Sequence, residues 1–351
     1  MSSALFNSPQ EFRSAFEHHL AGMLRDYDEL GTFILVLANA SFDARVWKQL
    51  EGPLRHKYQR LRAEFLEREA CGLVLDDAGD DLEVFRQLVA VGIARLKLTE
   101  FRFPGRWELQ FNHLRSFRPA RITAENIEVI STRYNPDGFN FNRPYLRKEI
   151  LWRGWLAGRN CALFYNKFPF VDLHGLLVPE PRKERPQLLF EEDNEYIWKL
   201  NEILAKTLPG IGFGYNSYGA CASVNHLHFH MFQRDQVLPV ADSRWVHNGG
   251  EILYPAACFR FDSAASSWRF IRELHHRNVG YNLVYLPGVL YCLPRLKQGS
   301  DLTPAWSSGF AWYEMAGGFT TFCENDFAAV DSTAIESALK AISIDPVCGG
   351  S

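Results

Sequence analysis

The stretch SVNHLHFHMF, Ser223 to Phe232, constrains this chain more than any other. Histidine takes every second position there, at His226, His228 and His230, although only 11 histidines occur in 351 residues. On a strand, positions i, i+2 and i+4 share a face, so the three imidazoles project together and Leu227, Phe229 and Met231 project oppositely. A helix would splay His226 and His228 by roughly 200° and destroy the cluster. The alternation therefore predicts a strand with one apolar, buried face and one face of imidazoles. Three readings of that face compete. It is a half-buried strand whose histidines are merely hydrogen-bonded, a metal site with His174 and Cys221 as nearby ligands, or a nucleophile that attacks phosphorus. A neutral imidazole suits the last role because its unperturbed pKa is about 6.5.

The residues before the strand favour the phosphorus reading. GYNSYGACASVNHLHFH places Asn216, Ser217 and Ser223 on the preceding strand and turn, where a hydroxyl or amide can reach a phosphate over the histidines. Gly212, Gly214 and Gly219 permit tight turns and a close backbone approach to an anion. The metal reading lacks its usual companions. The seven cysteines, Cys71, Cys161, Cys221, Cys258, Cys292, Cys323 and Cys348, are scattered and form no C-x-x-C pair. Scattered cysteines in odd number also point to a reducing compartment, and a cytoplasmic protein is expected. The start, MSSALFNSPQEFRSAFEHH, lacks a basic segment followed by an apolar one, and no apolar run reaches 18 residues, so neither a signal peptide nor a membrane span is expected. Net charge is -3, which gives no global field toward nucleic acid or membrane.

Along the chain, residues 1–100 read as a helical region. Ser8 with Glu11 forms a start signal, ARVWKQLEGPLRHKYQRLRAEFLERE has three-to-four spacing with Pro53 as a break or helix start, and DLEVFRQLVAVGIARL is similar. This region is a packing layer or a dimer surface. From about residue 101, aromatics, Gly, Pro and Asn become frequent and apolar runs shorten to strand length. WELQFNHLRSF, CALFYNKFPF and HGLLVPE read as strands. EEDNEYIWKLNEILAKTL reads as a helix ended by Pro209-Gly210, and SSWRFIRELHHRN as another. YNLVYLPGVLYCLPR is a hairpin about Pro287-Gly288, and FAWYEMAGGF a last strand, which makes 246–345 a weak repeat of 101–245. The CGGS tail reads as unstructured. Between Arg143 and Arg185 nine Lys or Arg face four acids, either an ordinary solvated face or an attraction for a diphosphate through Lys167 and Arg147. Phe139, Phe141 and Phe168 are candidates for a base pocket or for the core.

The segment His226-Leu-His228-Phe-His230-Met-Phe232 matches the His-φ-His-φ-His-φ-φ signature, with φ apolar, of the histidine-triad (HIT) superfamily. Within it, the chain resembles the GDP-hexose phosphorylases of the galactose-1-phosphate uridylyltransferase-like branch over roughly residues 105–325. The matching pieces are GYNSYGACASVNHLHFH followed by LPV, FNFN at Phe139–Asn142 followed by KEILW, HGLLVPE, and YNLVYLPGVLYCLPR. The resemblance implies that His228 is the nucleophile of a nucleotidyl-histidine intermediate, that His226 supports it, and that His230 contacts the α-phosphate. It places Ser223 and Asn216 at phosphate-contacting positions and Asn166 at a ribose-contacting one. His230 stands where many phosphorylases and transferases carry glutamine, and histidine there is also the pattern of small HIT hydrolases. The zinc site of some relatives has no counterpart, because EPRKERP after HGLLV carries no histidine.

The expected fold is α+β: a HIT-like antiparallel sheet with flanking helices, in two related halves (101–245 with the histidines, 246–345 without), preceded by the helical region 1–100. The expected reaction is nucleotidyl transfer from a nucleoside diphosphate sugar, GDP-hexose first, to phosphate. His228, His226 and His230 are catalytic, and Ser223, Asn216, Asn166, Lys167, Ser217 and Gly219 bind substrate. No metal and no redox cofactor is implied. A nucleotide sugar or dinucleotide and phosphate are the expected partners, with neither nucleic acid nor membrane, and a homodimer is a candidate assembly. The alternatives are a dinucleoside polyphosphate phosphorylase or HIT-type hydrolase, and a non-catalytic nucleotide-binding regulator.

Overall fold

The computed structural model describes residues 5–72, 79–118, 127–299, 303–307 and 309–346. The 348–351 tail, with Cys348, lies outside them. The described residues of the first hundred form four α-helices: α1 (Pro9–Asp26), α2 (Leu30–Phe42), α3 (Ala44–Ala70) and α4 (Gly79–Val91). Ser8 caps α1, its Oγ accepting the Glu11 N–H at 3.1 Å, and Pro9 takes the first turn, where no N–H is needed. α2 is apolar all round and buried along nearly its whole length, so it is the centre of the helical layer. α3 continues through Pro53, correcting the expected break. Gly52 and Pro53 are exposed, so water can reach the carbonyl that proline leaves unbonded, while Leu50 and Leu54 pack on either side.

The remaining elements are β1 (Glu100–Arg102), β2 (Glu108–Phe111), β3 (Ile150–Leu156), β4 (Arg159–Tyr165), β5 (Gly175–Pro179), α5 (Glu191–Leu204), β6 (Ile211–Asn216), β7 (Phe229–Gln233), β8 (Phe259–Phe261), α6 (Ala264–His276), β9 (Gly280–Leu286), β10 (Val289–Arg295), α7 (Trp312–Met315), β11 (Gly318–Thr321), α8 (Glu324–Ala329) and α9 (Ser332–Ile342). Eight strands form one antiparallel sheet in the order β3-β4-β5-β7-β6-β9-β10-β8. Because β6 pairs with β9, the sheet runs without interruption across the expected boundary at 245/246. A second sheet, β1-β2-β11, is smaller, and its β2–β11 pair is parallel.

Each face of the large sheet has its own core. Leu227, Phe229 and Met231 join Phe213, Tyr215 and Tyr285 against α5, α6 and the N-terminal helices. The opposite face carries Phe232, Val284 and Leu293 against Trp107, Trp312, Phe319 and α9, with a patch of Phe141, Phe164 and Val178 beside it. The helical region is thus a packing layer on one face: Tyr165 Oη donates to the Phe16 carbonyl at 2.7 Å. FAWYEMAGGF is only partly the expected last strand. Trp312–Met315 turns as α7, and β11 leaves the large sheet to pair with β2. The Ala311 amide caps onto Glu314 at 3.0 Å, which favours the helical turn.

Candidate functional site

The histidine segment keeps its alternation but is less of a strand than expected. β7 begins at Phe229, so His226 and His228 lie on the extended lead-in and only His230 is in the ladder. β7 sits between β5 and β6, with His230 opposite Leu176 on one side and Gly214 on the other. The lead-in is held instead by Gln187, whose Oε1 accepts the His228 N–H at 2.9 Å while its Nε2 donates to the His228 and Asn216 carbonyls. The Leu227 N–H also donates to the Arg185 carbonyl at 2.9 Å, so the 185–187 segment takes the place of a neighbouring strand.

Each imidazole has a defined setting. His228 Nδ1 lies 2.7 Å from the His226 carbonyl oxygen, an acceptor only, so Nδ1 carries the proton and Nε2 holds the lone pair. His226 Nδ1 accepts the Phe141 N–H at 3.2 Å, which puts its proton on Nε2, on the side of the Pro181 carbonyl. His230 Nδ1 is 2.9 Å from His174 Nε2. Asn166 Nδ2 lies 3.1 and 3.4 Å from the two ring nitrogens of His174, a position over the ring rather than in its plane. In the plane, the Phe170 N–H faces His174 Nδ1 at 3.4 Å. His174 therefore donates from Nε2 to His230 Nδ1, leaving His230 with an Nε2–H donor. Ring centroids of His228 and His230 are 5.5 Å apart, and Phe141 packs 5.2 Å from His228.

Burial sets the charge of this face. Desolvation lowers the pKa of His226 and of His228 to about 4, and pushes His174 and His230 well below the usual value, with Arg115 adding a smaller push on both. All four rings are neutral at pH 7.

The other expected residues divide into two groups. Ser223 is exposed on the segment leading to the histidines. Asn166 sits over His174, and its own carbonyl accepts from Asn39 of α2 at 3.1 Å. In contrast, Asn216 is buried and its Oδ1 accepts from Asn282 Nδ2 and from the Trp312 N–H, both at 2.7 Å. Ser217 Oγ accepts the Tyr281 N–H at 3.0 Å. Gly219 has φ of 85°, as a left-handed turn requires, and its carbonyl accepts from Gln298 at 2.8 Å. Lys167 is paired with Asp81 of α4 at 2.5 Å, and Arg147 is exposed. Phe141 and Phe168 are buried, whereas Phe139 is 53% exposed. Cys221 does not approach His174 as a ligand pair would. Its Sγ faces Arg295 at 3.6 Å.

Sequence reasoning missed Gln187, Asn282, Trp312 and Arg115. All four lie far from the histidines in the chain, and no spacing in the sequence ties them to that segment. Trp312 lies 5.9 Å from His230 and stacks on Phe232 at 5.1 Å and 7°.

The model of the family described as "GDPGP1-like, N-terminal domain" matches residues 103–232. GDP-D-glucose phosphorylase 1 of Homo sapiens is 32% identical over 184 residues, 48% of this chain and 46% of that protein. The protein of the same name from Danio rerio is 35% identical over 118 residues, 33% of this chain and 34% of its own length. The chain thus spans about half the length, or less, of the curated relatives it matches. Among solved structures, the yeast Ap4A phosphorylase Apa2 superposes with a TM-score of 0.50 at 15% identity, covering 79% of this chain and 98% of that one. That is a likeness of fold. Residues 103–232 thus match the family described as GDPGP1-like, N-terminal domain, and the chain is similar to the GDP-D-glucose phosphorylases over about half of its length and to the Ap4A phosphorylase in its α+β fold.

Proposed function

We propose that this protein is a nucleotidyltransferase that phosphorolyses a nucleoside diphosphate sugar, GDP-hexose, to hexose 1-phosphate and GDP through a nucleotidyl-His228 intermediate. The observation that carries the reading is the 2.7 Å contact of His228 Nδ1 with the His226 carbonyl. It presents the Nε2 lone pair, and it accepts the Nδ1 proton more strongly as the ring becomes cationic. Nε2 bonds to the α-phosphorus, the bond from that phosphorus to the bridging oxygen breaks, and the electron pair leaves with hexose 1-phosphate. Inorganic phosphate then attacks the same phosphorus, the P–N bond breaks, and GDP departs with His228 neutral again. No proton need leave His228 in either step.

In this reading, His230 donates from Nε2 to a non-bridging α-phosphate oxygen, where charge develops. His226 offers its own backbone carbonyl to the Nδ1–H of the nucleophile. Ser223 and Asn166 are the reachable polar contacts for phosphate and ribose. Asn216, Ser217 and Gly219 shape the turn before the histidines, and Lys167 braces the Asn166 loop against α4. The relatives' printed activity supports an enzyme, and cysteines that are scattered and free among the described residues fit a cytoplasmic one.

The test is His228→Ala against a panel of nucleoside diphosphate sugars and dinucleoside polyphosphates, with and without phosphate. Wild-type protein should gain one nucleotide mass on His228 from GDP-hexose, and phosphate should discharge it as GDP. The variant should form no adduct and lose at least about 10³-fold in turnover. Full phosphate-dependent turnover by His228→Ala would sink the covalent mechanism. A second reading takes water as acceptor, and the histidine at position 230 favours it. In that case the adduct would discharge as GMP whether or not phosphate is present.

A further inference from the structure

Most cations around the histidine face are already committed. Lys167 pairs with Asp81, Arg185 makes a bidentate pair with Asp193, and Arg234 pairs with Glu108. Arg115 differs. It lies on the turn after β2, where Asn112 Oδ1 accepts its backbone N–H at 3.1 Å and Asn112 Nδ2 reaches the Pro169 carbonyl at 3.0 Å. Its Nη1 donates to the Phe168 carbonyl at 2.8 Å, and its guanidinium lies 4.9 Å over the Phe170 ring. Phe170 in turn packs 4.4 Å from His174 and 5.9 Å from His230. Among the described residues Arg115 makes no ion pair with a carboxylate. The other charges acting on it are Arg118, which repels, and Glu314, which attracts but is taken up by the Ala311 amide. Burial lowers its pKa to about 9, and it remains cationic at pH 7.

A guanidinium held rigidly beside a row of neutral imidazoles, without its own carboxylate, is arranged for a bound anion. A second observation points the same way. Trp312, flanking His230 and Phe170, carries a buried Nε1–H with no acceptor among the described residues. An unpaired buried donor is costly, and an acceptor oxygen relieves the cost. We propose that Arg115 anchors the phosphate that departs and returns: the phosphoryl group of the leaving sugar 1-phosphate, and the inorganic phosphate that replaces it. The two must occupy one place, because leaving group and acceptor share the in-line position opposite His228 Nε2 by microscopic reversibility. The assignment deepens the double-displacement reading and rests on it. It also supplies what His230 cannot, a reason for phosphate rather than water as acceptor.

The experiment compares wild type, Arg115→Gln and Arg115→Lys on two donors. One is the nucleoside diphosphate sugar. The other is the p-nitrophenyl ester of the same nucleoside 5′-monophosphate, whose leaving group carries no phosphate. Loss of a charge-assisted contact corresponds to about 10–100-fold. Arg115→Gln should slow adduct formation from the diphosphate sugar at least tenfold more than from the aryl ester. It should raise the KM for phosphate in discharging the adduct by a similar factor, with Arg115→Lys intermediate. Equal losses on both donors, or an unchanged KM for phosphate, would overturn the proposal and leave Arg115 a packing residue. Should wild-type protein form no adduct at all, the double-displacement reading fails, and direct titration with inorganic phosphate still decides the site. Binding weakened at least tenfold in Arg115→Gln supports it, and equal binding refutes it.

Discussion

At the scale of single residues, the histidine face is defined by neutrality. His226 and His228 have pKa values lowered to about 4 by burial, against about 6.5 in an unfolded chain. For a base with a depressed folded pKa, the unfolded state binds protons first as pH falls. The stability these rings contribute is therefore complete above pH 6.5 and is lost progressively between 6.5 and about 4, on the order of 3 kcal/mol per ring over the whole window. Denaturant midpoints measured from pH 7.5 to 4.5 should fall through this window, and His228→Asn should flatten the slope. A pH-independent midpoint would mean that the rings are not desolvated. The same shift predicts that nucleophilic loading of His228 keeps its acid limb near pH 4 to 5 rather than 6.5. The alternation of His226, His228 and His230 was legible in the sequence because side-chain direction in an extended chain follows from position alone. The partners that set each tautomer were not. Gln187, the Phe141 amide and His174 reach the site through tertiary contacts that carry no local signal.

At the scale of elements, β6 shows why glycine recurs beside the histidine segment. A Cβ on Gly214 would lie 2.2 Å from Trp312 Cδ2, and one on Gly212 2.3 Å from Phe232 Cζ. Trp312 and Phe232 are stacked on each other, so neither ring has room to retreat. Gly212 and Gly214 thus admit aromatic rings, whereas the sequence suggested space for a phosphate. Gly214→Ala should cost about 1–3 kcal/mol by overpacking, read as a lowered denaturant midpoint. It should also shift Trp312 fluorescence, because the indole must move. Unchanged stability and emission would show that the ring slides freely. Helix and strand periodicity located the long elements well. It failed where tertiary packing overrides local preference: at Pro53, which α3 simply passes through, and at Trp312–Met315, where an apolar run became a helical turn.

At the scale of the whole molecule, the two sheets are joined by a buried polar cluster drawn from three distant parts of the chain. Glu108 of β2 pairs with Arg234, just beyond β7, at 2.6 Å, and accepts the hydroxyl of Tyr313 from α7. Gln110 donates to the same hydroxyl at 3.1 Å and to the Phe170 carbonyl at 2.8 Å, connecting the cluster to the loop that ends at His174. Glu108 and Arg234 side chains are each 7% exposed. A buried pair of this kind adds little net stability over an apolar replacement, but losing one partner strands the other. Glu108→Ala should therefore cost about 3–5 kcal/mol, because Arg234 would remain charged and buried without its carboxylate. Glu108→Leu combined with Arg234→Met should recover much of that loss, since neither charge is then left behind. Denaturant melts of the wild type, Glu108→Leu, Arg234→Met and the pair form a double-mutant cycle. If Glu108→Ala cost less than about 1 kcal/mol, in the range of an exposed pair, water would have to reach Arg234. The cluster would then not fasten the small sheet to the face that carries the histidines.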